Sequence, residues 1–509
     1  MARIAVAAPN KVAADAGVRV AAEGGNAVDA ALAATLVVMV NEIGIVSPGG
    51  GGYVTVQPAG DDPVTIDGWV EMPGRGLPPE RFGRGVWDIT TEYGGGTTMT
   101  VGHGSVGTPG AIKALDVAHK LYGRAPWREV VAPSVDIARD GFPLSRTSAY
   151  YLSYVHDIVF GWQPESRAVV HDATGAVLTA GSAVRIPDLA DALRLIADEG
   201  AVALYEGDLA ALIVADMVAN DGILTAADLA SFEAVVRPAL VVDQSGWRMA
   251  TNPLPAVGGV ALAAMLALLE AVPASGAWTL AEAGRLVDVQ RAVLERRLTE
   301  LDREDERVLA GRGLLTMAAG GDLRALSSPS TATVSVVDDA GDACAVTVSS
   351  GYGSGVLAPG TGFWLNNALG EQELLLGGPH SLPVGTRLTS NMAPTVARRT
   401  ADGAVLAIGS PGSDRIPTAL AQVLALFVHG GLDLESAIRH PRVHVRVRDD
   451  IRVDHEDDLD LPAGLPLPTR AMPPHSMYFG GVSAALWSPG STLTAASDPR
   501  RTGATAVSG

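Results

Sequence analysis

Thr331 opens a strand-like alternation, TATVSVVD, directly after the turn-forming run Ser328-Pro329-Ser330. A threonine hydroxyl becomes a nucleophile when a base stands beside it, yet a threonine heading a strand is also an ordinary β-branched residue in a place that suits it. Other constellations are poorer. The chain has no G-x-S-x-G turn for a serine hydrolase, GVSAA at 481–485 being the nearest, and no Gly-Lys pair for a phosphate loop. The run SPGGGGY (47–53) lacks the spacing of a dinucleotide fingerprint. His440 and His444 have the i, i+4 spacing of helical metal ligands, but Pro441 between them disfavours that helix. The acidic run DHEDDLDL (454–461) reads as a solvated loop.

Helical periodicity alternates with short β-rich runs and Gly/Pro punctuation, which indicates an α/β architecture. Helices are expected over 10–40, 109–123, 127–140, 187–199, 207–220, 257–272, 279–311 and 416–430. Strands are expected over 53–57, 332–338, 343–349, 394–399 and 404–409, the last four forming two hairpins through DAGD and RTADGA. A charged helix within 287–313 leads into a Gly/Ser-rich connector ending at Pro329, the best boundary in the chain.

Composition narrows the function. Of the 509 residues 47% are apolar and 18% charged, enough for a large core. The net charge is −19, and lysine occurs only at Lys11, Lys113 and Lys120, so nothing offers a basic stripe to nucleic acid. One cysteine, Cys344, excludes an internal disulfide and a multi-cysteine metal site; neither a metal nor a cofactor is expected. The apolar runs 27–40 and 258–272 are too short to span a bilayer and read as buried helices. No apolar signal-peptide core is visible near Met1, which makes the cytoplasm the default location.

Motifs in a shared order then point further. EGGNAVDAALAATL (23–36), SPGGGGY, the segments 106–144 and 204–240, TATVSVVD, FWLNNALGE (363–371), LTSNMAPTV (388–396), GSPGSDRI (409–416) and ASDPRR (496–501) together resemble the γ-glutamyltranspeptidase family of N-terminal nucleophile hydrolases. The resemblance implies a four-layer αββα sandwich and a precursor that cuts itself between Ser330 and Thr331. Residues 1–330 and 331–509 would then be the large and small fragments of one domain, a heterodimer open to higher assembly. It implies that Thr331 supplies both the nucleophilic hydroxyl and, through its new terminal amine with a reference pKa of about 7.7–8.0, the base. Gly412 and Ser413 match the loop whose amides meet the oxyanion, with serine where the family more often has glycine. Ser349 matches a family threonine that binds the terminal amine.

Specificity is where the sequence departs from that family. Val70, in DGWVEMPG, stands where the family has the arginine that clamps a glutamyl α-carboxylate. Glu371 matches the acid that receives the substrate amino group, and Ser390 and Asn391 the polar pair beside it. Three readings follow. One is a self-processing amide hydrolase with a small-molecule substrate other than glutathione. A second is a relative that breaks a carbon–carbon bond in antibiotic, alkylproline-type biosynthesis. The third is an inactive relative that serves as a binding protein.

Overall fold

A computed structural model describes residues 2–93, 96–269, 278–297, 331–372, 374–375, 377–447 and 450–508, with residues 301, 307, 311, 314 and 315. Ser330 and the connector before it lie outside the described residues, as does most of the expected helix beyond 297.

Two antiparallel sheets form the centre. The first has seven strands, in the order Ala504–Val507, Ile4–Ala8, Ala332–Asp338, Ala343–Ser349, Gly51–Gln57, Val64–Gly68 and Val235–Pro238. The second has six, in the order Thr494–Ser497, Ser483–Trp487, Val405–Gly409, Thr395–Arg399, Trp247–Thr251 and Leu240–Gln244. Ala332–Asp338 lies against Val405–Gly409 and Ser483–Trp487 of the second sheet, while helix Ala27–Asn41 covers its other face. Helices Val257–Leu268 and Arg415–Val428 cover the second sheet. The result is the expected αββα sandwich. Because both faces of the central strands are covered, ATVSVVD and ACAVTVS are buried at every residue, and β-branched and small side chains fill them up to Asp338, whose carboxylate accepts from the Ala27, Ala340 and Asp342 amides.

Both expected hairpins form, with Ala332 opposite Val348 and Thr395 opposite Ile408. The run 27–40 lies in the buried helix Ala27–Asn41, and the described part of 258–272 lies in the buried helix Val257–Leu268 with its cap Leu269, residues 270–272 being outside the described residues. Among the described residues no helix is long and apolar enough to cross a membrane.

Two expectations need correction. The single helix over 10–40 is two, Lys11–Ala22 and Ala27–Asn41. Gly24 breaks it at φ 112°, and Asn26 restarts it with a reciprocal capping box, its side chain accepting from the Asp29 amide while the Asp29 carboxylate accepts from its own. The acidic run is not a solvated loop at its start, since Arg452–Glu456 is a strand in which Asp454 and Glu456 are buried. Arg452 and Arg470 bond Asp454 at 2.9 and 2.7 Å, and Tyr478 donates to it at 2.6 Å. Burial alone would push the Asp454 carboxyl up, but these donors outweigh it and hold it below its ordinary value. Glu456 is held by Arg500, which also binds Asp498 in the motif ASDPRR.

The four glycines of SPGGGGY serve packing. A methyl on Gly50 would lie 2.5 Å from the Ser349 carbonyl oxygen and 2.8 Å from Ser350 Oγ, and one on Gly51 2.8 Å from Trp69 and Val70. Gly50→Ala must therefore push back the end of the Ala343–Ser349 strand. It is expected to cost about 1–3 kcal/mol, read by denaturant melts, and to lower activity with it. Unchanged stability would show that the strand end has slack.

Candidate active site

Thr331 is buried at the head of the Ala332–Asp338 strand. The register that sets Ala332 opposite Val348 places Thr331, one step further, opposite Ser349. On its other side Ser349 pairs with Gly51.

A small cavity opens where these strands end, lined by Trp69, Thr331, Ser349, Glu371, Leu374, Ser390, Asn391 and Met392. Its free centre measures about 10 Å³, room for about one water molecule. Five residues singled out from the sequence, Thr331, Ser349, Glu371, Ser390 and Asn391, are thus brought to one place.

Local structure explains how. Ser349 Oγ accepts from the Gly351 amide at 2.9 Å. Gly351 has φ 62°, and a methyl there would lie 2.3 Å from Asn367 Oδ1 and 3.2 Å from Glu371 Oε1. Only glycine lets the Glu371 carboxylate come so close to the strand end. Asn366 fixes the same stretch from beneath, donating to the Gly49 and Gly107 carbonyls at 2.9 Å each. Across the cavity the Ser390 carbonyl accepts from the Val257 and Gly258 amides at a helix N-terminus, which anchors the polar pair to a rigid element. Asn391 Oδ1 accepts from Arg297, a fully buried arginine that ends the helix starting at Leu280.

Val70 does not line the cavity. It is fully buried beside it, among Tyr53, Trp69, Met72 and Leu388, and a methyl on Gly107 would lie 2.1 Å from its Cγ1. The wall is made instead by Trp69, whose indole nitrogen donates to the Thr389 carbonyl at 2.8 Å. Arg387 holds this segment, donating to the Trp69 carbonyl at 2.8 Å and to Glu71 at 3.0 Å. Sequence reasoning missed Trp69, Leu374 and Met392, since apolar wall residues carry no chemical signature; adjacency to Val70 and Asn391 was the only available signal for two of them.

Gly412 and Ser413 also lie outside the lining, on the loop between strand Val405–Gly409 and helix Arg415–Val428. That loop starts against the first sheet: a methyl on Gly409 would lie 2.0 Å from Oγ1 of Thr333, two residues beyond Thr331. Gly412 has φ 122° and Ser413 φ 76°. Their carbonyls accept from the Arg415 and Ile416 amides, while among the described residues nothing engages their own N–H groups. Ser413 is buried and its hydroxyl has no partner among the described residues. A serine at that φ costs about 1 kcal/mol or more, which accounts for glycine being an easier occupant. Ser413→Gly is therefore expected to raise stability by up to about 1 kcal/mol in thermal melts and to leave turnover within about twofold, because the amide survives. A large loss of turnover would assign the work to the hydroxyl.

His440 and His444 do not come together on a metal. His440 stacks on Trp278 with ring centroids 5.5 Å apart, and His444 bonds Thr418 at 3.2 Å. No histidine lines the cavity among the described residues. A hydroxyl nucleophile there must find its base elsewhere than in an imidazole.

A family model described as "Gamma-glutamyltranspeptidase" matches residues 13–508. The chain is 31% identical over 481 residues to a "Glutathione hydrolase proenzyme" of Pseudomonas aeruginosa, covering 86% of this chain and 82% of that one. It is 30% identical over 459 residues to "Acylase ACY 1 proenzyme" of Pseudomonas sp. strain V22, covering 84% and 80%. Among solved structures, cephalosporin acylase from Bacillus halodurans superposes with a TM-score of 0.82 over 99% of this chain and 96% of that one, at 23% identity, which establishes a shared fold.

Proposed function

The chain belongs to the gamma-glutamyltranspeptidase family of hydrolases and transferases, and from that premise we propose that it cuts itself before Thr331 and uses the freed residue to hydrolyse an amide other than glutathione. The observation that carries this reading is the gathering of Thr331, Ser349, Glu371, Ser390 and Asn391 around one buried cavity at the head of a central strand.

In the first step Thr331 Oγ1 attacks the Ser330 carbonyl carbon. The Ser330–Thr331 C–N bond breaks as the acyl group passes to oxygen, and water hydrolyses the ester to leave the Ser330 carboxylate and a free Thr331 amine. Self-cleavage agrees with the word proenzyme that both relatives carry in their names. Fragments 1–330 and 331–509 stay together because Ala332–Asp338 is hydrogen-bonded to Ile4–Ala8, and Ala343–Ser349 to Gly51–Gln57.

In turnover the amine takes the Thr331 hydroxyl proton, Oγ1 attacks the substrate acyl carbon, and the proton passes to the leaving amine. The Gly412 and Ser413 amides are the donors for the oxyanion, worth about 10²–10³ in rate for one such donor. Ser349 binds the terminal amine, and water releases the acyl group. Glu371 receives a cationic group on the acyl half, with Ser390 and Asn391 beside it. Because Val70 offers no fork, that half lacks a carboxylate at the clamp position.

The reading is tested by incubating processed enzyme with a panel of N-acyl amides and 2-keto acids and weighing the products. Release of the acid and amine halves of an amide supports it. Cleavage confined to a carbon–carbon bond of the keto acids would overturn the amide assignment.

A further inference from the structure

Two histidines fifteen residues apart meet on the far side of the loop that follows helix Arg146–Val155. His156 Nδ1 and His171 Nε2 are 2.9 Å apart, and Asp157 Oδ1 lies 3.5 Å from the first and 3.8 Å from the second. Three atoms so placed have a common centre about 2.0 Å from each, the distance at which zinc holds imidazole nitrogen and carboxylate oxygen.

The electronic requirements are met as well. A carbonyl only accepts, so His171 Nδ1, 3.0 Å from the Arg167 carbonyl oxygen, is the protonated nitrogen and turns the Nε2 lone pair toward His156 and Asp157. A positive charge already occupies this spot, for Arg167 places Nη1 2.6 Å from Asp157 Oδ1. That side chain is partly exposed, 42%, and free to swing away. His171 is buried while Asp157 faces solvent, so the site has a fixed floor and an open mouth.

We propose that His156, Asp157 and His171 bind one divalent transition-metal cation of the zinc class, with water completing the shell. On binding, the hydrogen bond from His156 Nδ1–H to His171 Nε2 is replaced by bonds to the metal, and the His156 proton moves through solvent from Nδ1 to Nε2, which frees the Nδ1 lone pair. The inference is independent of the Thr331 chemistry. Its consequence reaches toward the active site, because the clasped segment presses on residues 353–357: Gln163 bonds the Leu357 amide at 2.7 Å and its carbonyl at 3.2 Å, and a methyl on Gly355 would lie 2.1 Å from the Val159 carbonyl oxygen. The bound cation holds that segment in place.

The test uses the full-length protein without a histidine tag, stripped on a chelating resin and titrated with Zn²⁺ by calorimetry and thermal melts, and with Co²⁺ by visible absorption. One saturable equivalent, a raised Tm and a cobalt ligand-field spectrum are expected. His156→Gln and Asp157→Asn, at the more open positions, are expected to weaken Zn²⁺ by at least about tenfold while the metal-free Tm stays in place. Arg167→Ala is expected to tighten it, since the competing guanidinium is gone. The absence of a saturable equivalent in the wild type would overturn the proposal, as would an equivalent that His156→Gln and Asp157→Asn both leave unchanged.

Discussion

Thr331→Ala is expected to run as a single chain of 509 residues on a denaturing gel, and the wild type as fragments 1–330 and 331–509. Alanine removes the hydroxyl that, in the proposed mechanism, attacks Ser330 and later serves as the nucleophile of turnover. Activity should fall by about 10⁴-fold or more, the scale of losing a nucleophile whose partners remain. Thr331→Ser separates chemistry from packing. It keeps both hydroxyl and amine and loses one methyl from a buried position, so it should still be cut and still turn over, more slowly. If Thr331→Ala were cut at the same place, the side chain would not be the attacking group.

The second large effect concerns specificity. A glutamyl α-carboxylate entering this cavity is expected to meet Trp69, Leu374 and Met392 and no arginine fork at position 70, since Val70 is withdrawn into the apolar cluster. Charge-assisted bonds of that kind contribute about 1.5–3 kcal/mol. γ-Glutamyl-p-nitroanilide should accordingly be hydrolysed about 10- to 150-fold less efficiently, in kcat/KM, than the same anilide acylated by a group without the carboxylate. Val70→Arg should not restore glutamyl activity. Its guanidinium would have to enter a space already closed by Gly51 and Gly107, whose own methyls would touch Val70 at 2.8 and 2.1 Å, and a buried unpaired charge costs several kcal/mol. Loss of soluble or processed protein is the expected readout. Efficient release of p-nitroaniline by the wild type would mean that another cation, such as Arg297 at Asn391, takes the carboxylate.

How much of this was legible in the residues varies with the physics. The strands 332–338 and 343–349 were readable to the residue, because β-branched runs bounded by DAGD leave no other short-range solution. Helix positions were readable from apolar periodicity, but the break at Gly24–Asn26 was hidden inside a run whose apolar pattern continues across it. Strands such as Ile4–Ala8, Trp247–Thr251 and Ser483–Trp487 were missed: each is five residues long and takes its identity from neighbours distant in sequence. The burial of Asp454 and Glu456 was invisible for a related reason, since besides the adjacent Arg452 the arginines that neutralise them come from residues 470 and 500. Within the site, polar groups announced themselves by motif, whereas the position of Val70 behind Trp69 rather than in the wall depends on packing that no spacing encodes. His156 and His171 are the clearest case of this kind, ordinary in sequence and adjacent only once the segment between them, which includes helix Pro164–Val170, folds.

The proposed chemistry requires one new terminus. N-terminal sequencing and intact mass of the smaller fragment from fully active wild-type protein should give Thr-Ala-Thr-Val-Ser, starting at Thr331. A fragment starting at any other residue, or full activity in a chain that was never cut, would contradict it.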